Sequence, residues 1–288
     1  MTAENTAAVV LDRVCLEYNT GSPFAREALA DVSLEVPLGR VSAVAGPTAA
    51  GKTTLLELMA GLIPPGRGSV STLGSDRPAP GTVGMVLQRP EVQLFSANVW
   101  DDVAAAPRLC GVSEQDLSDI VRSSLTTVGL DVEAVGSRSP LALSVGEQRR
   151  VAIAGILSLS PSLLILDEPG AGLDPKGRLL LMESLLSWVK GGSEGTERHP
   201  PARTLVFSSH DLDEVAAWAD NVIVLSGGRL IAHGPPADVL VDSEVMSCAG
   251  LEEPLVSRVA RASGITEPSP PVKVVSLAQR LREMGDRS

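Results

Sequence analysis

Apolar residues crowd or alternate over strand lengths in two early runs, AAVVLDRVCLEY (7–18) and ADVSLEVPLGRVSAVAG (30–46), separated by the turn-rich NTGSPFAREAL. They predict a strand-rich segment whose last strand feeds a glycine-bounded loop, AGPTAAGKTT (45–54). In KTTLLELMAGL, which follows, Leu55, Leu58, Met59 and Leu62 recur at helical spacing, and Gly61 with Pro64 and Pro65 closes the helix. The order is strand, loop, helix. Residues from about Ser113 to Ser160 read as mainly helical, whereas SLLILDEP (162–169) and TLVFSSH (204–210) are compact apolar strands of the kind buried in a parallel sheet. Between them a helix is predicted over about Pro175 to Lys190, then a Gly/Pro-rich surface loop, GGSEGTERHPPA (191–202). From about Asp242 the pattern changes to short helices joined by EPSPP, a small appendage. The alternation of strand and helix predicts an α/β core, and no internal repeat appears.

Composition narrows the picture. With 44% apolar residues but only 2% aromatics, the core must be built from Leu, Val, Ala and Ile. A formal net charge of −11 argues against a nucleic-acid partner, since phosphate neutralisation takes clustered Lys and Arg, but leaves room for a small anion held by local backbone dipoles. Cys15, Cys110 and Cys248 show no paired spacing, so neither a disulfide framework nor a zinc site is indicated, and a reducing compartment fits. The start lacks a basic stretch followed by an apolar run. The longest apolar stretch, Val151 to Leu166, is broken by Ser158, Ser160 and Pro161. A soluble chain is expected, meeting a membrane only through partners.

Gly46-Pro47-Thr48-Ala49-Ala50-Gly51-Lys52-Thr53 fits the phosphate-loop pattern G-x-x-x-x-G-K-[ST] in its strand-to-helix context, and Thr54, next along, joins these as a candidate nucleotide-binding residue. Backbone N–H groups and the helix start can cradle phosphate oxygens, Lys52 can neutralise the β/γ end, and the Thr53 hydroxyl can reach Mg²⁺. Downstream, LLILDEPGAGLDP ends an apolar strand in Asp167-Glu168. One acid at such a strand end can hold the Mg²⁺ shell while its neighbour polarises an attacking water. Together the two motifs point to phosphoryl transfer on a nucleotide such as ATP.

Just before the acidic strand, LSVGEQRRVAIAG (143–155) resembles the signature segment of ATP-binding cassette (ABC) transporter ATPases. Six motifs follow that family's order over about residues 7 to 242. The resemblance implies that Ser144 and Gly146 present a hydroxyl and an N–H to the γ-phosphate of a partner subunit's nucleotide. It identifies Gln88 with the Q-loop glutamine that senses Mg²⁺ and water, Asp174 with the D-loop and His210 with the switch histidine. Tyr18 stands where the family places an aromatic that stacks on adenine. The implied fold is a P-loop NTPase core of ABC ATPase type, with an N-terminal antiparallel β subdomain and a helical signature subdomain (about 89–160). The nucleotide-binding domain would span 7–242 and a small helical extension 243–288.

Gln93-Leu94-Phe95, just after the Q-loop, resembles more narrowly the energy-coupling factor (ECF) transporter ATPases. GSPFAREAL, RSPLALS and GLDPKGR are similar to the second of their two ATPase subunits. This implies a cytoplasmic-face subunit that pairs with a second ATPase, as a heterodimer or homodimer. Its membrane partners would be a coupling component, whose helices enter the groove after the Q-loop beside Asp101 and Asp102, and a subunit that binds a vitamin or metal ion. A solvated acidic helix start is the alternative for those two acids. An ordinary ABC importer ATPase, a soluble ABC ATPase and a regulatory nucleotide-binding subunit stay open. Ala49 departs from the family's glycine, and Val145 and Glu147 from Gly and Gln of the signature. A positive φ at Ala49 would strain the loop by roughly 1–2 kcal/mol; a negative φ would not.

Overall fold

Strands β1 (Ala7–Tyr18), β2 (Arg26–Pro37) and β3 (Val41–Ala45) open the chain, followed by helix α1 (Lys52–Met59), β4 (Arg67–Thr72) and β5 (Val83–Val86). In β2 the period-two pattern buries Val32, Leu34 and Val36 and exposes Asp31, Ser33 and Glu35, whereas β3 is buried throughout. The sequence reads as one run across both, but a turn at 38–40, with Gly39 at φ 69°, divides it. The computed structural model describes residues 6–191, 202–265, 273, 276–279 and 282. Residues 192–201 of the predicted surface loop, with His199, and the EPSPP segment lie outside them.

Helices α2 (Val99–Leu109), α3 (Glu114–Thr127), α4 (Val132–Val135) and α5 (Val145–Leu157) come next. Each starts on a side chain that accepts from a backbone N–H of the first turn: Asn98, Ser113, Asp131 and Ser144. Then follow β6 (Leu163–Leu166), α6 (Pro175–Lys190), β7 (Thr204–Ser209), α7 (Leu212–Trp218), β8 (Asn221–Ser226), β9 (Arg229–Gly234), α8 (Pro236–Val239), α9 (Ser243–Ala249) and α10 (Leu255–Ala262). Asp174 caps α6, and a proline occupies its first turn, which fixes its start where the sequence predicts it.

The chain divides into two compact units. The first comprises residues 1–8, 38–40 and 72–207. In it β5, β6 and β7 run parallel, with Val83 to Val86 beside Leu163 to Leu166, and Leu163 to Leu166 beside Thr204 to Phe207. Leu163, Leu164, Ile165 and Leu166 are all fully buried, as a strand covered on both faces requires. Val99 and Val103 of α2, Leu117 and Val121 of α3, and Val151 and Ile153 of α5 complete an aliphatic core in which Phe207 is the sole large aromatic among the most deeply buried side chains described.

The second unit holds residues 9–37, 41–71 and 208–288. An antiparallel three-stranded sheet, ordered β2-β1-β4, lies almost wholly within it. Here too β3 pairs in parallel with β8, and β8 in antiparallel with β9. Gly227 and Gly228, at φ 55° and 75°, make that hairpin's tight turn, which demands positive φ at both positions. Towards the C-terminus Ala260, Ile265 and Leu277 pack with Val256 in a small separate cluster. Among the described residues no helix is long and apolar enough to cross a membrane.

Candidate nucleotide site

In the second unit, the fully buried β3 delivers the chain into the phosphate loop, where two glycines are required by close approach. A Cβ on Gly46 would lie 2.3 Å from the Leu225 carbonyl oxygen, and one on Gly51 would lie 2.7 Å from that of Ala28. Gly51 has φ 101° and precedes α1 with no side-chain cap, and α1 has no acid in its first turn. With neither a cap nor an acid there, the positive end of the helix favours an external anion. Ala49 stands at φ 64°, so the loop keeps the left-handed conformation and carries the strain of a Cβ there.

Side chains brace the same loop. The Lys52 ammonium is buried and donates to the carbonyl oxygens of Gly46 at 2.7 Å and Pro47 at 3.0 Å, closing the loop upon itself. Pro47, Thr48 and Ala49 form its outer rim, Ala50 is buried beneath it, Thr53 is exposed and Thr54 is buried. The Tyr18 hydroxyl lies 3.3 Å from the Thr54 hydroxyl and 3.4 Å from a Glu57 carboxylate oxygen, to which it donates. Tethered by its hydroxyl to α1, the ring remains 40% exposed and free to stack. His210 follows β7 directly and is exposed, beside Asp211, the cap of α7.

In the first unit, β5 and β6 end side by side in Gln88 and in Asp167-Glu168. Asp167 is buried, and its N–H donates to the Val86 carbonyl, continuing the parallel ladder. Glu168 leaves the strand at φ 48°, in the left-handed region. The Gln88 amide nitrogen donates to Glu168 Oε2 at 3.4 Å, so two residues 80 positions apart in the chain meet. Arg149, buried in α5, donates to the backbone carbonyls of both residues.

The signature segment forms the start of α5 in this unit. The Ser144 hydroxyl accepts from the Glu147 N–H at 3.3 Å and donates to Glu147 Oε2 at 2.8 Å, while the Ser144 N–H donates to the same carboxylate at 2.9 Å. The bonds from Ser144, with Arg138 nearby at 3.7 Å, hold the Glu147 carboxyl below its usual range, so a negative charge sits beside the signature hydroxyl. Gly146 lets the D-loop pass closely, since a Cβ there would lie 2.7 Å from Leu173 Cδ2. Asp174 accepts from the Gly177 N–H at 2.7 Å as the cap of α6.

The segment after the Q-loop corrects one expectation. Asp101 and Asp102 do not form a solvated acidic pair. Asp102 is buried and accepts from the Phe95 and Ser96 N–H groups at 3.2 and 3.0 Å, with burial raising its pKa against those two bonds. Gln93 pins the same stretch: it accepts from the Leu87 N–H at 3.0 Å and donates to the Met85 carbonyl at 3.2 Å. Phe95 and Val92 are left 75% and 64% exposed. Spacing alone did not mark Arg149 or the anchoring roles of Gln93 and Asp102. The S-x-x-E spacing of Ser144 and Glu147 did carry a readable cap signal.

The family model described as ABC transporter matches residues 29–171. The energy-coupling factor transporter ATP-binding protein EcfA2 of Streptococcus pneumoniae is 37% identical over 286 residues, 95% of this chain and 99% of that protein. The protein of the same name from Lactiplantibacillus plantarum is 40% identical over 246 residues, 82% of this chain and 80% of its own. Among solved structures, cbiO1 from Clostridium perfringens, described as part of the ABC transporter complex cbiONQ, superposes with a TM-score of 0.71 at 29% identity. It covers 90% of this chain and 100% of its own. With a phosphate loop, an acid-ended strand and a signature helix built as above, the chain belongs to the ABC transporter family, among the ATP-binding proteins of energy-coupling factor transporters.

Proposed function

We propose that the chain binds and hydrolyses ATP to energise an energy-coupling factor importer of a vitamin or metal ion. The observation that carries this reading is the phosphate loop that Lys52 closes ahead of α1, a helix start with no side-chain cap and no acid in its first turn, whose positive end suits a triphosphate. Backbone N–H groups of the phosphate loop and the Lys52 ammonium take the phosphates, and the Tyr18 ring stacks on adenine. Glu168, oriented by Gln88, accepts the proton of the attacking water, and His210 contacts the γ-phosphate.

The residues that would hold Mg²⁺ carry oxygen ligands: the Thr53 hydroxyl, the Asp167 carboxylate and the Gln88 amide. No group of three or more His, Cys, Asp or Glu residues is placed to hold a metal among the described residues. That set fits a hard cation that keeps its waters and takes its remaining ligands from phosphate. Bound there, Mg²⁺ would neutralise charge on the β- and γ-phosphates.

Ser144, Gly146 and Asp174 act on the nucleotide of a second ATPase subunit, so two subunits share each hydrolytic cycle at the cytoplasmic face of the membrane. The membrane partners are a coupling component and a substrate-binding subunit. Phe95 and Val92 stay exposed in the segment where the coupling component would dock. ATP turnover by the purified full chain, compared with that of the complex copurified from membranes, tests the reading. Low turnover alone and high turnover in the complex are expected; full activity from a monomeric preparation would contradict the shared cycle.

A further inference from the structure

Gln88 and Glu168 lie just beyond strand ends, where the ladder no longer dictates the direction of the backbone. Glu168 also holds a left-handed conformation that a residue with a Cβ seldom adopts without support. Such a conformation persists only where neighbours over-determine it, and Arg149 is one of them, beside the Ala171 N–H, which donates to the Glu168 carbonyl at 3.1 Å. Its side chain is buried, reaching in from α5. One terminal nitrogen, Nη1, donates to the Glu168 carbonyl, and the other, Nη2, donates to the Gln88 carbonyl at 2.8 Å.

A guanidinium is planar, and its two terminal nitrogens are a fixed distance apart. Two carbonyls held by one fork therefore have a fixed separation. With their carbonyls set, the side chains of the two residues leave the backbone in set directions and meet at 3.4 Å. Lysine could not reproduce this, because its single ammonium supplies a point charge rather than two spaced arms.

We propose that Arg149 is a positioning residue for hydrolysis: it fixes the Q-loop and the general base relative to each other and ties both to the helix that begins with Ser144 and Gly146. A shift of α5 when the signature engages a partner's phosphate would be passed to Glu168 through this side chain. The inference rests on the reading of Glu168 as the base.

The test uses the full chain copurified with its membrane partners, as Arg149→Met, Arg149→Lys, Glu168→Gln and the double variant Arg149→Met/Glu168→Gln. Arg149→Met should lower kcat by about 10- to 100-fold, the scale of a misplaced catalytic group, with ATP affinity within about twofold of wild type. Arg149→Lys keeps the charge and can satisfy one carbonyl, so it should fold and still lose several-fold in kcat. In the Glu168→Gln background, Arg149→Met should cost nothing further, because a residue acting through the base has no base left to position. Wild-type kcat in both Arg149 variants beside an inactive Glu168→Gln would overturn the positioning role while leaving Glu168 as the base. Loss of ATP affinity and thermal midpoint together with kcat would overturn it by making Arg149 a prop of the fold. Wild-type turnover by Glu168→Gln would instead remove the reading beneath it.

Discussion

Ala49 shows how one dihedral angle decides what a residue costs. At φ 64° its Cβ crowds the following carbonyl, a strain of roughly 1–2 kcal/mol that glycine would not carry. Ala49→Gly should therefore relieve that strain in the folded loop and raise the thermal midpoint; a loop that keeps this conformation on binding carries the strain before and after, so ATP affinity should stay within about twofold, read by titrating the nucleotide onto both versions. A lower thermal midpoint would mean that the strain is absent. Glu147 provides a second residue-scale test, through pH. Its carboxyl is held below its usual value of 4.5, chiefly by the Ser144 N–H. A lowered folded pKa contributes stability that is present above the unfolded value and lost as pH falls through the folded one. The thermal midpoint of wild type should therefore fall relative to that of Glu147→Gln as pH drops below about 4.5, because the neutral amide has no such dependence. Parallel curves for the two proteins would exclude the charged cap.

At the scale of elements, the stretch between β5 and α2 is held by side chains rather than by a ladder. Asp102→Ala removes the acceptor of two part-buried N–H groups, at up to roughly 1–3 kcal/mol, and should lower the thermal midpoint and loosen the exposed Phe95. Asp102→Asn keeps an acceptor and sheds the cost of a buried charge, so it should retain most of the midpoint; equal losses in both variants would count against this anchor. Local patterning foretold what local physics builds. The span of α6 follows from Asp174 and Pro175, and the buried strands β6 and β7 follow from their unbroken apolar runs. The β8–β9 hairpin was left unread although Gly227-Gly228 signals it, and the turn at 38–40 was hidden inside a run that stays apolar on both sides. The candidate site was legible in its motif residues, whose spacing along the chain is itself the signal. Two features were not: the sign of φ at Ala49, and the grip of Arg149 on carbonyls 61 and 19 positions away, which no local period encodes.

For the molecule as a whole, a chain with a net charge of −11 that binds a polyanion cannot rely on its overall field. The attraction must be local, in the N–H groups of one loop, the dipole of α1 and the buried Lys52 ammonium. In the proposed function hydrolysis depends on one acid, Glu168, and its value to the cell on the membrane partners that it would drive. The most direct measurement reconstitutes the copurified complex in lipid vesicles and follows ATP binding, ATP hydrolysis and uptake of the small molecule found bound to it, for wild type and Glu168→Gln. The amide keeps the shape of the side chain and loses the base. Glu168→Gln should bind ATP as wild type does while both hydrolysis and uptake disappear; undiminished hydrolysis or uptake in that variant would contradict the account.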